Sequence, residues 1–433
     1  MDQPLLLPDR LKKRNDPIDP MIKKRFFVKR AFFLPLCISL HRSAMQHWRQ
    51  YINRQPQEYM QSLYPSSVSA DMIVVIPCLD EPDLHETIHS LLACDRPDAE
   101  VLVAVICNAG EDVAKESVMQ NRITYQQTLL LAQSLDEKGM TLCPLLFEQL
   151  PRKHAGVGLA RKIGMDLAIQ HFLTHEKEHG VIVSLDADCT VSPHFLTAIQ
   201  DAFSTSKQLN ATLHGFAHRT RGDDPEMEHA VRQYESYLTY FSRMLQQSGF
   251  PWYWHTIGST FAVSAKAYVK TGGMGRQQGG EDFYFLQKVF ALGHIKELPD
   301  AKVYPLARFS DRIPFGTGPA LQKILEEPDK VMKVYSRRSF RELTVLFSLI
   351  DHFFRMSNQQ IIAALDVLNP TLVEFLYENN IMEMLADCKR NSATLTTFRK
   401  RFFHHFNAFR IIKYLNHVHP YPFAFEKITE VTG

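Results

Sequence analysis

Residues 181–188 have the sequence Val-Ile-Val-Ser-Leu-Asp-Ala-Asp, and this stretch decides the fold. Its first five residues form a short apolar run rich in β-branched side chains, typical of a strand buried on both faces of a parallel sheet. Asp186 and Asp188 follow the run directly. Because ligands bind beyond the carboxyl ends of the strands in an open parallel sheet, two acids at this point predict a binding site.

Two more apolar runs of the same kind precede it, at residues 72–76, where Pro77 follows, and at residues 101–107. Segments with apolar residues at helical spacing separate the runs, and they begin near Leu84 and near Leu159. Strands that alternate with helices predict βαβ units. The sequence therefore predicts an α/β fold with a mostly parallel sheet flanked by helices.

The remaining segments predict three regions. Residues 211–216 and 257–263 are typical of further strands, and an apolar stripe between Val231 and Leu245 predicts a helix in the core. After about residue 320 glycine nearly vanishes, and the patterns at 345–354, 361–368 and 372–385 are helical. We predict a basic, mainly helical N-terminal arm over 1–70, a catalytic domain over 71–320 and a helical C-terminal region over 321–433.

Composition limits the class of protein. Hydrophobic residues make up 45% of the chain and charged residues 22%, which is ordinary for a globular protein. A net charge of +2 gives no reason to expect a nucleic-acid partner. The seven cysteines are scattered and form no C-x-x-C pair, so neither a disulfide framework nor a zinc site is indicated. A reducing, cytoplasmic location fits best.

The N-terminal arm departs from this balance. Residues 1–70 contain twelve Lys and Arg against five Asp and Glu, a net charge of +7, and the basic residues near 23–30 alternate with phenylalanines. One interpretation is a helix peripheral to the inner face of a membrane, held by anionic lipid. The other, which we favour, is a solvated helix that packs its aromatic residues on the main domain.

Acidic and polar residues follow all three apolar runs. Asp80 and Glu81 come after the first run, Asn108 after the second, and Asp186 and Asp188 after the third. On an extended strand end, residues i and i+2 point to the same side, so the last two carboxylates can face one ligand. Neighbouring carboxylates repel unless a cation lies between them, and hard oxygen ligands favour Mg²⁺ or Mn²⁺ bridged to a diphosphate. We therefore predict metal and diphosphate binding here.

Four motifs in order resemble glycosyltransferase family 2, the inverting enzymes of the GT-A fold. They lie at residues 73–81, at 156–161 (Gly-Val-Gly-Leu-Ala-Arg), at 184–188, and at 258–282, where Gly279-Gly280-Glu281-Asp282 ends the last motif. Together they cover roughly residues 71–320. The long gap between the second and third apolar runs implies an inserted helix and strand around 113–150. The family's asparagine after the motif arginine is Lys162 here.

The resemblance implies a role for each motif residue. The donor would be a nucleotide diphosphate-sugar and the cofactor Mn²⁺ or Mg²⁺. Asp188 would be the direct metal ligand, with Asp186 nearer the ribose or sugar, and Asp282 would be the catalytic base with Glu281 beside it. The helix N-terminus should keep Asp282 ionised near neutral pH. The expected nucleotide-binding residues are Pro77, Asp80, Glu81, Asn108, Arg161 and Asp186.

Two further features lie between motifs or after them. Arg308 and Arg312 precede a glycine-containing loop and could grip the leaving diphosphate, because guanidinium groups match phosphate oxygens. A charged surface turn explains them equally well. The aromatic cluster at residues 252–255 favours an acceptor-side role, since aromatic faces stack on sugars, although such clusters are as often core.

The acceptor in glycosyl transfer would be a glycan, a lipid-linked molecule or a small molecule. Two other functions compete with glycosyl transfer. A sugar nucleotidyltransferase shares the α/β layout and the metal, but we would expect a lysine-bearing, glycine-rich loop after its first strand. The loop here contains neither glycine nor a basic residue. A degenerate scaffold or binding protein is the other alternative, and the intact Asp188 and Asp282 argue against it.

Overall fold

A computed structural model describes residues 45–63, 67–135, 139–222, 224–309 and 316–431. Within these residues, eight strands form one sheet in the order β3-β2-β1-β4-β7-β6-β8-β5. The strands are β1 Met72–Cys78, β2 Val101–Gly110, β3 Met140–Leu150, β4 Val181–Ser184, β5 Cys189–Val191, β6 Ala211–Phe216, β7 Phe261–Ser264 and β8 Ile295–Pro305. A second sheet pairs two short strands, β9 Lys333–Val334 and β10 Glu426–Lys427.

The centre of the large sheet is parallel, as predicted. β1 lies between β2 and β4 and runs parallel to both, and β3 extends the parallel half beyond β2. All residues of β1, β2 and β4 are buried, which explains why their sequences are continuous apolar runs rather than alternating ones. Because β1, β2 and β4 are parallel neighbours, their carboxyl ends meet at one edge of the sheet.

The other half of the sheet is mixed. β7 is antiparallel to β4 and β6, and β5 is antiparallel to β8. The predicted strand at 257–263 begins only at Phe261, because residues 257–260 form a turn in which the Thr260 amide donates to the Ile257 carbonyl at 3.2 Å. The predicted strand at 211–216 matches β6. The insertion expected around 113–150 is a helix followed by β3.

Helices cover both faces of the sheet. In the catalytic half they are α1 (described over 45–52), α2 Leu84–Leu92, α3 Lys115–Ser134, α4 Val157–Thr174, α5 Phe195–Thr205, α6 Pro225–Gln247, α7 Ala265–Lys270 and α8 Glu281–Phe290. α4 packs directly on β1 and β2. At Gly164 of this helix an added Cβ would lie 2.3 Å from Val75 Cγ1, so only glycine permits the observed approach.

The C-terminal region is helical, as predicted. Its helices are α9 Thr317–Glu326, α10 Arg337–Phe353, α11 Asn358–Leu365, α12 Pro370–Glu378, α13 Ile381–Arg390, α14 Leu395–His405, α15 Ala408–His417 and α16 Ile428–Val431. The single helix predicted at 372–385 is wrong. Asn380, with φ of 58°, turns the chain between α12 and α13, and a left-handed residue cannot continue an α-helix.

One hydrophobic core joins the three parts of the chain. It contains Trp48 of α1, Ile73 of β1, Phe285 of α8 and a group of phenylalanines from α10 and α14. A second core, under α2 and α5, fills the opposite face of the sheet. Boundaries at residues 70 and 320 therefore do not coincide with separate cores, and the division into regions stays a prediction.

The described part of the N-terminal arm packs on the catalytic half. The Tyr51 hydroxyl donates to Asp166 Oδ1 at 2.6 Å, and the Lys162 ammonium donates to Asp166 Oδ2 at 2.7 Å. Burial and the Asp166 charge raise the pKa of Tyr51 well above its usual value. The phenylalanines near residues 26–33 lie outside the described residues, so membrane contact stays a prediction. None of the described helices is both long enough and apolar enough to cross a bilayer.

Candidate active site

The D-x-D segment, residues 186–188, lies in a turn between β4 and β5 at the carboxyl edge of the parallel strands. Two hydrogen bonds fix it: the Thr87 hydroxyl donates to the Ala187 carbonyl at 2.8 Å, and the Leu306 amide donates to the Asp188 carbonyl at 3.2 Å. The turn replaces the extended strand end that we expected. As a result Asp186 and Asp188 pair with different arginines.

Asp188 pairs with Arg308, which also pairs with Glu81. The distance from Arg308 Nη2 to Asp188 Oδ2 is 3.1 Å, and the same nitrogen donates to Glu81 Oε1. Burial, the neighbouring charge of Asp186 and that of Glu81 raise the pKa of Asp188 to about 6, although Arg308 opposes the shift. This carboxylate therefore needs a compensating positive charge, and Arg308 supplies one.

Asp186 pairs with Arg161, which joins it to the second acidic motif. Arg161 Nη2 donates to Asp186 Oδ1 at 2.6 Å, and Nη1 donates to Glu281 Oε1. Only 3% of the Arg161 side chain and 2% of the Glu281 side chain are exposed. Gly158 at the start of α4 makes this possible, because a Cβ there would lie 2.0 Å from the Gln277 carbonyl oxygen.

Asp282 lies beside the same arginine, in the first turn of α8. A Cβ added at Gly258 would lie 2.8 Å from Asp282 Oδ2 and 2.9 Å from Arg161 Nη2, which places all three residues together. Burial raises the pKa of Asp282 above its usual value, although Arg161 and the Phe283 amide favour the charged form. Desolvation therefore outweighs these favourable contacts, and the expectation that Asp282 is ionised near neutral pH stays a prediction.

The loops after β1 and β2 form the other end of the site. Asn121 of α3 joins them, since its side chain accepts from the Asp80 amide at 2.8 Å and donates to the Asn108 carbonyl at 2.8 Å. The Ser117 hydroxyl donates to Asp80 Oδ2 at 2.9 Å. Pro77 lies within β1, buried beside Ile106, so its assignment as a nucleotide contact stays a prediction.

The structure thus brings most of the predicted residues into two linked clusters. The donor cluster is Glu81, Arg308 and Asp188, and the base cluster is Asp186, Arg161, Glu281 and Asp282. The D-x-D turn connects them. Asp80 precedes Glu81 in the loop after β1, and Asn121 links this loop to Asn108. Both residues therefore lie beside the donor cluster. Arg312 falls outside the described residues.

The aromatic cluster at residues 252–255 packs on the core, with Trp252 buried and the other three residues half-buried. Trp252 is buried against Phe403 and His404 of α14, so the acceptor-side role is wrong for this residue. Tyr253 stacks on Trp254 with ring centroids 4.7 Å apart. The His255 ring contacts Phe216 at the end of β6 and faces the Thr260 hydroxyl at 3.5 Å.

Sequence analysis missed a polar chain beside Asp282. His218 Nδ1 lies 3.0 Å from Glu235 Oε1 on α6, and His218 Nε2 lies 3.2 Å from the Thr317 hydroxyl. Tyr234 contacts the His218 ring, and its pKa is raised by burial and by the charge of Asp282. Since these groups are 17 and 99 residues apart in sequence, spacing carries no signal of their contact.

Arg219 and Arg221 were missed as well. Both lie between β6 and α6, and both pair with acids on the loop and helix that follow β1: Arg219 with Glu86 at 2.7 Å and Arg221 with Asp83. Arg219 Nη2 also donates to the Asp188 carbonyl at 3.3 Å. Arg219 and Arg308 therefore border the donor cluster, whereas Arg221 pairs with Asp83 outside it.

The carboxylates of Asp186 and Asp188 suit a hard divalent cation whose other ligands are water molecules and oxygen atoms of the substrate. Among the described residues no group of three or more His, Cys, Asp and Glu side chains is arranged as a metal cage. Mg²⁺ is usually bound through one or two carboxylates together with substrate phosphates, so Asp186 and Asp188 suffice. The two carboxylates lie close enough for the charge of Asp186 to raise the pKa of Asp188, and a bound cation would relieve that repulsion.

Comparison with known proteins supplies the family. The sequence model described as "Glycosyltransferase like family 2" matches residues 70–287, half of the chain. No curated protein matches the sequence. Among solved structures, S. aureus TarS 1-349 in complex with UDP-GlcNAc is 13% identical, with 77% of this chain and 91% of that chain covered and a TM-score of 0.35. GalNAc-T7 with UDP, GalNAc and Mn²⁺ is 15% identical, with 64% and 51% covered and a TM-score of 0.34.

The family match includes every residue of the donor cluster and the base cluster except Arg308. It spans β1, β2 and β4, together with Glu81, Asn108 and Asp188, and it ends after Asp282 in α8. The match favours glycosyl transfer over the nucleotidyltransferase alternative. This chain belongs to the glycosyltransferase-like family 2 and is a nucleotide-sugar glycosyltransferase with the GT-A fold.

Proposed function

We propose that the protein transfers a sugar from a nucleotide diphosphate-sugar with inversion of the anomeric carbon, using a divalent metal and Asp282 as base. One observation carries the proposal: the buried Arg161 joins Asp186 of the D-x-D turn to Glu281, the neighbour of Asp282. The residues suited to hold the leaving diphosphate and the residue suited to accept a proton therefore lie around one guanidinium group.

The donor end is the acidic edge of the sheet. Asp188 and Asp186 would hold Mn²⁺ or Mg²⁺ against the diphosphate, and the ion would supply positive charge where the leaving group gains negative charge. Asp80, Glu81 and Asn108 are the candidates for contacts with the nucleoside. Arg308 already lies at Asp188, so it can reach the same diphosphate oxygens.

The acceptor end is the first turn of α8. In the proposed step an acceptor oxygen attacks the anomeric carbon while the bond from that carbon to the diphosphate oxygen breaks. The acceptor's proton passes to Asp282, and the electron pair of the broken bond leaves with the nucleoside diphosphate. A carboxylate whose pKa is raised is a stronger base than an ordinary aspartate, which suits this role.

Arg161 and Glu281 act as positioning residues in this scheme. Glu281 is buried, and Arg161 neutralises its charge. Asp282 is therefore the carboxylate that remains to accept the proton. This differs from the expectation that Arg161 binds the nucleotide, because both of its terminal nitrogens already pair with carboxylates. The assignment of Arg161 to positioning is part of the proposal.

The test is incubation of the full chain with a panel of UDP-, GDP- and other nucleotide-sugars, with Mn²⁺ or with chelator. We expect one sugar nucleotide to release nucleoside diphosphate, faster with Mn²⁺, and faster again when the matching member of a panel of glycans, lipid-linked sugars and small glycosides is present. NMR of the product should show the inverted anomer. A retained anomer, or equal turnover in chelator, would contradict the proposal.

A further inference from the structure

Arg308 holds the carboxylate that the proposed function gives to the metal. Its Nη2 lies 3.1 Å from Asp188 Oδ2, and the same nitrogen also pairs with Glu81. The side chain is 35% exposed and that of Asp188 is 22% exposed, so water and small ions can reach the pair. Arg308 lies just after β8 and is 120 residues away from Asp188 in sequence.

Building on the proposed metal dependence, we propose that Arg308 and the divalent ion compete for Asp188, and that Arg308 released from Asp188 binds the donor diphosphate. Both groups are cations that seek the same carboxylate oxygen. A second cation at that oxygen would meet the guanidinium at close range, where like charges repel strongly. Arg308 must therefore shift before Asp188 can serve as a full ligand.

The neighbouring arginine shows why the shift is confined to Arg308. Arg161 is 3% exposed and pairs with two carboxylates from different elements, so it has no open direction in which to move. Arg308 keeps Glu81 as a partner after it leaves Asp188, and its exposed side faces solvent. A diphosphate offers Arg308 a bidentate partner in place of the lost carboxylate.

The consequence is an opposite effect of Arg308 on two ligands. Arg308 weakens the binding of a divalent ion alone, because the ion must displace it. The same residue strengthens the binding of a nucleoside diphosphate in the presence of the ion. Metal and nucleotide therefore bind best together, and a free ion is held weakly. A salt bridge that only stabilises the fold would not produce effects of opposite sign.

The experiment compares Arg308→Gln with the wild type in two titrations. Mn²⁺ is titrated without nucleotide and followed by the electron paramagnetic resonance of free Mn²⁺. UDP and GDP are then titrated at saturating Mn²⁺ by calorimetry. We expect Arg308→Gln to bind Mn²⁺ about tenfold more tightly and the nucleoside diphosphate about tenfold more weakly, within the usual range of coupling between sites.

Two further variants keep the result interpretable. Arg399→Gln removes an arginine of α14 that pairs with Asp351 of α10 rather than with Asp188, and it should match the wild type in both titrations. Arg308→Lys keeps the charge but loses the planar fork, so we expect Mn²⁺ affinity within about threefold of wild type and weakened nucleotide binding. It also tests the proposal if Arg308→Gln fails to fold.

The inference is overturned if Arg308→Gln binds Mn²⁺ no more tightly than the wild type, or if both affinities change in the same direction. The wild-type arms test the proposed function separately. If the wild type binds UDP or GDP equally well in chelator, the metal dependence itself fails. If the wild type needs Mn²⁺ but Arg308→Gln leaves Mn²⁺ affinity unchanged, only the competition fails.

Discussion

The donor cluster and the base cluster use the same chemical pair, an arginine and acids, in opposite ways. Arg308 is one-third exposed and pairs with Asp188 at the water-facing edge of the sheet, whereas Arg161 is enclosed between Asp186 and Glu281. Water around the Arg308–Asp188 pair screens the charges and lets a ligand replace one partner. Water is largely excluded from Arg161 and Glu281, so loss of either residue costs more stability. The comparison indicates an exchangeable arginine where ligands enter and leave, and a fixed one where geometry must persist.

The largest effect should come from removing the donor carboxylate. Asp188→Ala takes away the group that would hold the metal against the diphosphate, so we expect turnover to vanish together with the Mn²⁺ dependence of UDP or GDP binding. Calorimetry with and without chelator measures the second effect directly. The control is Asp83→Ala, whose carboxylate pairs with Arg221 outside the donor cluster and whose loss should preserve turnover. Metal-dependent nucleotide binding in Asp188→Ala would move the metal site elsewhere.

Asp282→Asn breaks the base cluster without changing its shape. General-base catalysis typically contributes about 10²–10⁴-fold, so we expect turnover to fall by that amount while nucleotide binding stays near wild type. Asp282 Oδ1 also accepts from the Phe283 amide at 2.7 Å, a bond that asparagine can keep. Steady-state release of nucleoside diphosphate with acceptor present is the measurement.

The matched control is Asp224→Asn. Asp224 caps α6 by accepting from the Met227 amide at 3.0 Å, outside both clusters, and asparagine is an equally good cap. Turnover near wild type in Asp224→Asn together with a large loss in Asp282→Asn separates catalysis from capping. Equal behaviour of the two variants would reduce Asp282 to a helix cap.

The sequence was sufficient to predict the candidate site residues that follow strand ends. It was not sufficient to predict contacts between side chains that are distant in sequence. Asp80, Asn108 and Asp188 could be placed because buried parallel strands are continuous apolar runs whose carboxyl ends share an edge. The partners of Arg161 and Arg308 could not, because Glu281 is 120 residues from Arg161 and Glu81 is 227 residues from Arg308. Such pairings depend on how loops approach one another, which periodicity does not encode.

The C-terminal region shows the same limit. Its helices were predictable from apolar patterns, but the break between α12 and α13 was not, because it depends on Asn380 adopting a left-handed conformation that few residues other than glycine tolerate. The packing of Trp252 on α14 was also hidden, since an aromatic cluster has the same sequence pattern in a core and at a sugar site. Tertiary contacts decided both cases.

Stability measurements sharpen the contrast between the two arginines. Arg161→Met leaves Glu281 buried without its partner, which typically costs about 3–5 kcal/mol. Arg308→Met breaks a pair with Asp188 that water reaches, but also a pair with Glu81, whose side chain is 8% exposed, so we expect a smaller loss than for Arg161→Met. Urea unfolding of the two variants beside the wild type gives both values.

A double variant identifies the cause of the larger loss. Adding Glu281→Gln to Arg161→Met removes the uncompensated charge, so we expect a clear part of the stability to return. If the double variant is no more stable than Arg161→Met, the cost comes from lost packing of the arginine stem rather than from the buried charge. In that case the fixed cluster would not owe its rigidity to electrostatics.

The last predicted effect is an acid sensitivity that arises from two histidines, His214 and His255. Burial and the neighbouring His255 lower the pKa of His214 to about 3, and burial lowers the pKa of His255 to about 4. His214 lies on β6, where its ring faces Phe195 and its Nε2 lies 3.0 Å from the Thr212 hydroxyl. Both imidazoles are therefore neutral in the folded protein near pH 6.

Because the unfolded chain protonates these histidines below about pH 6.5, it binds more protons than the folded chain between that value and pH 4. Their contribution to stability is complete above pH 6.5 and is lost as the pH falls, by about 1.4 kcal/mol per pH unit for each histidine. Urea unfolding between pH 7.5 and 5 should show the decline. His214→Gln should make the slope shallower by about that one-histidine amount while shifting stability above pH 7 by a constant. An unchanged slope in His214→Gln would mean that this ring takes up its proton in the folded protein as readily as in the unfolded chain.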